Sequence, residues 1–180
     1  MAEGGPSPKR AAASGVTLEV EVVRHDEAWE ETGLTDEVLT RVAQAAFEAA
    51  PPQWQGSYQV AISLSGDEAV RVLNLTWRGK DAPTNVLSFP AEDEIAEPGF
   101  LGDVVLAYGT VLKEARERNI ALQEHVSHLV VHGLLHLLGF DHADDAEAEQ
   151  MESIERKALA TLGIADPYAD TEAAQASEAS

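Results

Sequence analysis

His132, His136 and His142 stand in the run His132-Gly133-Leu134-Leu135-His136-Leu137-Leu138-Gly139-Phe140-Asp141-His142. The first two are four residues apart, which on a helix sets them one turn apart on one face, within reach of a single metal ion. Gly139 falls where such a helix has to end, because glycine enters the left-handed conformation at low cost. The chain can then turn back and offer His142 from another direction. Three neutral imidazoles around a zinc leave a fourth position open to water, the arrangement of a catalytic rather than a structural site. Nickel, copper and iron also accept nitrogen ligands, so the donors alone do not name the ion.

The spacing His-x-x-x-His-x-x-Gly-x-x-His is that of the metzincin zinc proteases, which carry a glutamate general base directly after the first histidine. Here that position is Gly133. A metal can still activate water, but the usual carboxylate to move its proton is missing, and peptide hydrolysis by that route is disfavoured. Two other groups are candidates for proton transfer. His128 lies one turn before His132 on the same face, about 12 Å along the axis from His136, too far to share the ion. It reads as cleft wall or as support for a ligand. Asp141 precedes the third histidine, where a carboxylate can orient a metal-bound imidazole or form a turn. Met151 reads as core filler, and His25 and His125 read as surface histidines.

A second constellation runs from Asn74 to Pro90 and reads as a helix end, a polar loop and a strand. Arg78 and Lys80 can bind substrate phosphate there, arginine through two parallel hydrogen bonds. The segment 71–90 holds Arg71, Arg78 and Lys80 against Asp81 alone, a basic island in a chain of formal net charge −20. That total argues against non-specific nucleic-acid binding. The segment from Asp141 to Ser180 is the opposite extreme, with 11 acidic residues and 2 basic ones.

These residues need a scaffold. The 180 residues suffice for one domain with a real core, and there is no cysteine for a disulfide or a thiolate zinc site. No apolar run is long enough to span a bilayer, and the first ten residues lack the apolar segment of a secretory signal. Residues 1–14 and 169–180 have the composition of disordered ends, the second acidic, around a single metal-dependent hydrolase domain at 15–168. Alternation predicts strands at 16–23 and 58–64, and short apolar runs predict strands at 86–89 and 102–107, the last apolar on both faces and so central. Helices are expected from Thr35 or Asp36 to about Ala50, after a capping box at Ser65–Glu68, from about Thr110 to Arg118, from about Leu122 to Leu138, and from a second capping box at Asp144–Glu147 to about Leu162. Val70, Leu73 and Trp77 share one face of the second of these. The interleaving predicts an α/β (α+β) fold, a mixed sheet with helices packed around it.

Taken together, Asn74-x-x-Trp77-Arg78-x-Lys80-Asp81-x-Pro83-Thr84-Asn85-Val86-Leu87-Ser88-Phe89 and His132-Gly133-x-Leu135-His136-Leu137-x-Gly139-Phe140-Asp141-His142 resemble the YbeY family of bacterial ribosomal-RNA maturation factors. Leu101–Val105 and Asp166-Pro167-Tyr168 fit as well, and Gly133 belongs to the family pattern. The resemblance covers roughly 16–168. It implies a mixed, mostly parallel four-stranded sheet whose metal cleft is similar to that of zinc proteases. It implies one zinc on His132, His136 and His142 and a functional arginine at Arg78. It also implies a cytoplasmic, single-strand-specific, metal-dependent endoribonuclease. Such proteins act in 3′-end maturation of small-subunit (16S) rRNA and in ribosome quality control, with the small subunit and its proteins as partners. Attack on phosphorus by water or by a 2′-hydroxyl stays open. A zinc hydrolase of another substrate, such as a peptide, and a non-catalytic assembly factor with a structural metal are the alternatives.

Overall fold

The computed structural model describes residues 15–91 and 98–169; of the ends expected to be disordered, 1–14 and all of 169–180 but its first residue lie outside them. Four strands, β1 (Val16–Arg24), β2 (Gly56–Ser65), β3 (Val86–Pro90) and β4 (Gly99–Ala107), form one sheet in the order β1-β2-β4-β3. β1, β2 and β4 run parallel, and β3 closes the edge antiparallel to β4. The mixed, mostly parallel architecture is the expected one. β4 is inner because both of its faces are apolar: Val104 and Leu106 point to one core, Val105 and Ala107 to the other. Pro90 is tolerated because β3 is an edge, where a missing N–H breaks no second ladder.

Five α-helices follow among the described residues, α1 (Asp36–Ala49), α2 (Asp67–Arg78), α3 (Tyr108–Glu117), α4 (Leu122–Leu137) and α5 (Asp145–Thr161); the first four meet the sheet, and α5 packs on α1 and α4. The main core lies between one sheet face and α1, α4 and α5. A smaller cluster of Val70, Leu87, Val105 and Ala107 holds α2 on the other face. α4 is buried almost all round, from Val126 to Leu137, and so sits centrally, which fixes where its histidines emerge.

Caps set the helix ends. Thr35 accepts the Val38 N–H, and Asp144 accepts the Glu147 N–H at 2.8 Å while Glu147 reaches back to the Ala143 N–H. The capping box expected at Ser65–Glu68 does not form. Ser65 is buried in β2, Gly66 caps α2 without a side chain, Asp67 accepts the Thr110 N–H and hydroxyl on α3, and Glu68 pairs with Arg71. The reason is competition: the two carboxylates reach tertiary and helical partners better than their own helix start. An unexpected 3₁₀ helix, Glu27–Thr32, buries Trp29, whose Nε1–H donates to the Ser65 carbonyl at 2.8 Å.

His125 is a correction. Expected on the surface, it is buried in α4 and hydrogen-bonds Glu114 of α3 at 3.0 Å; burial pushes its pKa down, against the raising effect of Glu114. Its side of α4 faces α3, where Glu114 supplies the partner that a buried imidazole needs. His25 is exposed, and Met151 is buried in the main core, as expected.

Candidate metal centre and cleft

α4 carries His132 and His136 one turn apart, and the helix then ends in a Schellman turn. The Gly139 N–H donates to His136 O and the Phe140 N–H to Leu135 O, with Gly139 at φ 98°. That reversal returns His142 to the first two. Ring centroids are 4.6 Å apart for His132 and His136, 5.1 Å for His136 and His142, and 5.7 Å for His132 and His142. One nitrogen from each ring lies within 4.8 Å of the other two, so the group could hold a metal ion. The two Nε2 atoms of His132 and His136 face each other at 3.1 Å. Nitrogens bound to one tetrahedral zinc stand roughly 3.3 Å apart, so the donor set fits with small adjustment. Burial and the neighbouring His132 and His142 lower the pKa of His136, which favours the neutral, ligating form.

The outer side of His132 is equally specified. Its Nδ1 hydrogen-bonds Glu155 Oε1 at 2.6 Å, leaving Nε2 for the metal. Glu155 is fully buried in α5, and its other oxygen takes His128 Nε2 at 3.0 Å and the Tyr168 hydroxyl. Burial alone would raise its pKa; the bonds from His128, His132 and Tyr168 outweigh that and hold the carboxyl down at about 2. Burial first, and then the bond to Glu155, push the Tyr168 phenol up. Asp166 holds this closing segment through the Tyr168 N–H at 2.8 Å and through Arg156.

The sequence reading missed Glu155, which lies among acidic neighbours. The available signal was the spacing of Met151, Glu155, Ala158 and Leu159, the buried stripe of α5.

In front of the histidines lies a cleft of about 690 Å³. α2 supplies Trp77 and Arg78, the strand β3 and its approach supply Asn85, Val86, Ser88, Phe89 and Pro90, and the turn after α4 supplies Phe140, Asp141 and His142. Arg78 is exposed and, among the described residues, makes no ion pair. Lys80 is exposed but does not line the cleft. Arg71 is committed to Glu68 and Asp81, so the basic island offers less free charge than its composition promised. Asp141 lines the cleft and accepts the His142 N–H at 2.8 Å through one oxygen. His128 does not line it; the structure sets this histidine behind the ligands, against Glu155 and Tyr168.

Gly133 is fixed by packing. A Cβ there would come within 2.8 Å of Val104 and 3.1 Å of the Ser88 hydroxyl, which donates to the Gly133 carbonyl. The protease glutamate therefore has no room on this face of α4.

Three converging histidines in an open cleft at the edge of a mixed sheet define a metal-hydrolase class of site. The family model for the endoribonuclease YbeY matches residues 24–163. Endoribonuclease YbeY of Novosphingobium aromaticivorans is 46% identical over 167 residues, covering 87% of this chain and 98% of its own. That of Maricaulis maris is 47% identical over 149 residues, covering 83% and 91%. The solution structure of a Thermotoga maritima protein has the same fold, with a TM-score of 0.53 at 21% identity over 80% of this chain and 91% of that one. The chain belongs to the endoribonuclease YbeY family.

Proposed function

We propose that this chain is a metal-dependent endoribonuclease that cuts single-stranded RNA, a hydrolase whose domain spans 15–168. It is a nuclease acting on RNA by family. The finer reading is a zinc enzyme of the cytoplasm that matures the 3′ end of small-subunit rRNA and takes part in ribosome quality control on the small subunit. No helix among the described residues is long and apolar enough to cross a membrane. The observation that carries the reading is one cleft lined by three converging histidines and by Arg78, which has no ion-pair partner among the described residues.

His132, His136 and His142 would hold the ion. A bound divalent cation supplies Lewis-acid stabilisation of phosphate oxygens and lowers the pKa of water. Arg78 binds a phosphate across the cleft and neutralises the charge that builds on its oxygens during cleavage. Lys80 guides the strand from outside the cleft. Asp141 is the carboxylate placed to take or return a proton, whereas His128, bound to Glu155 and Tyr168, serves the ligands from behind. A peptidase reading is not favoured, because Gly133 stands packed where its base would be.

The test pairs two variants on one single-stranded RNA substrate. His136→Ala is expected to lose metal and cleavage together. Arg78→Ala is expected to keep its metal, by elemental analysis, and to cut roughly 10²–10³ times more slowly, the usual cost of one charge-stabilising donor. Undiminished cutting by metal-free His136→Ala protein would overturn the proposal.

A further inference from the structure

We propose that Trp77 is a stacking platform for one unpaired base of the RNA strand, a subsite that rests on the endoribonuclease reading. Trp77 continues the helix face of Val70 and Leu73, and that face is otherwise turned to the sheet: Val70 is fully buried and Leu73 packs on the same cluster. Yet Trp77 is 69% exposed. Trp77 lies in the last turn of α2 and lines the cleft rather than entering the core. Singly exposed apolar residues are common on protein surfaces; what sets this indole apart is that it lines the cleft in front of the three histidines. Its ring contact is with Phe89 of β3, at 6.5 Å between centroids and 63° between planes, which props the indole at an angle without covering it.

The surroundings select an RNA base over other occupants. Arg78 follows Trp77 in sequence and lines the same cleft without an ion-pair partner among the described residues, so a phosphate fits beside the ring. The polar groups that could read a base edge are mostly committed. The Asn85 amide donates to Glu114 and accepts from the Val86 N–H, and the Ser88 hydroxyl donates to the Gly133 carbonyl. Aromatic faces with few free hydrogen-bonding groups favour any base over a particular one. A base within a duplex has both faces covered by its neighbours, so the same platform discriminates against paired strands.

Binding is measured by fluorescence anisotropy on chelator-treated protein, which keeps the strand intact. The probes are labelled twelve-residue oligo(A), oligo(U), a duplex of equal length, and a twelve-residue strand of abasic sites. Trp77→Ala is expected to weaken oligo(A) and oligo(U) alike by about tenfold or more, the loss of one base stack. Trp77→Phe should recover most of that loss. Abasic strand should bind wild type and Trp77→Ala equally, and wild type should prefer the single strands to the duplex. If Trp77→Ala binds oligo(A) as tightly as wild type, or loses the abasic strand equally, there is no stacking subsite. If wild-type protein neither binds nor cuts any RNA, the endoribonuclease reading itself has failed and takes the subsite with it. Cleavage by wild type together with an inert Trp77→Ala substitution overturns the subsite alone. Enhanced duplex binding by wild type would also overturn it.

Discussion

His132 gives one nitrogen to Glu155 and thereby presents the other to the cleft. This single contact decides ring orientation and tautomer, and Glu155 is itself held by Tyr168 and His128. A charged carboxylate opposite a ligating imidazole makes it a better donor, and loss of such a partner typically costs 10–100-fold in metal affinity. Glu155→Gln keeps the shape but removes the charge and one acceptor. We expect its zinc affinity, measured by competition with a chromogenic chelator, to fall by about tenfold or more. Unchanged affinity would mean that Glu155 is only a buried packing residue. Tyr168 extends the same chain of contacts to the segment 166–168, so that segment helps to orient His132 in the candidate metal site.

At the scale of elements, α4 owes its position to Gly133 and to its tie with α3. Alanine at 133 would gain helix propensity of about 1 kcal/mol. It would also drive a Cβ into Val104, a stiff, fully buried side chain that cannot swing away. Overpacking of this kind costs about 1–3 kcal/mol, so the clash outweighs the propensity. Gly133→Ala should therefore lower the free energy of urea unfolding; a gain in stability would refute the close approach of α4 to β4. The α3–α4 tie is sensitive to pH. Burial first, opposed by Glu114, sets the folded pKa of His125 below its usual value near 6.5. The unfolded chain then binds the proton more readily. The stability from neutral His125 is fully present above about pH 6.5 and is lost as pH falls through the lower folded value. Unfolding of metal-free wild type should become easier on acidification through that window. His125→Gln should show a shallower dependence, and identical slopes would assign the effect to other groups.

The whole molecule carries a net charge of −20, a poor match for a polyanion. Only Arg78 among the described residues brings a lysine or arginine to the cleft wall. Affinity for single-stranded RNA falls with a slope of about −0.7 per phosphate neutralised in a plot of log affinity against log salt. One or two contacts give a slope of roughly −0.7 to −1.4. A titration between low and physiological salt should show such a shallow dependence. A much steeper slope would mean that cations outside the cleft take part. With so little charge at the cleft to attract a polyanion, most of any affinity for RNA must come from contacts other than ion pairs.

Sequence alone settled what depends on local spacing. The histidines share a helix face because four residues make about one turn, and Gly139 ends that helix because glycine tolerates φ 98°. The central position of β4 followed from its two apolar faces. Tertiary packing alone decided what depends on which side of an element meets another. It buried His125 against Glu114, turned Glu155 inward to His132, and set Trp77 on the cleft wall rather than in the core. It also drew Asp67 to Thr110 of α3, away from the expected cap. A local pattern records which residues share a face; whether that face is covered, and by what, is set by elements distant in the chain.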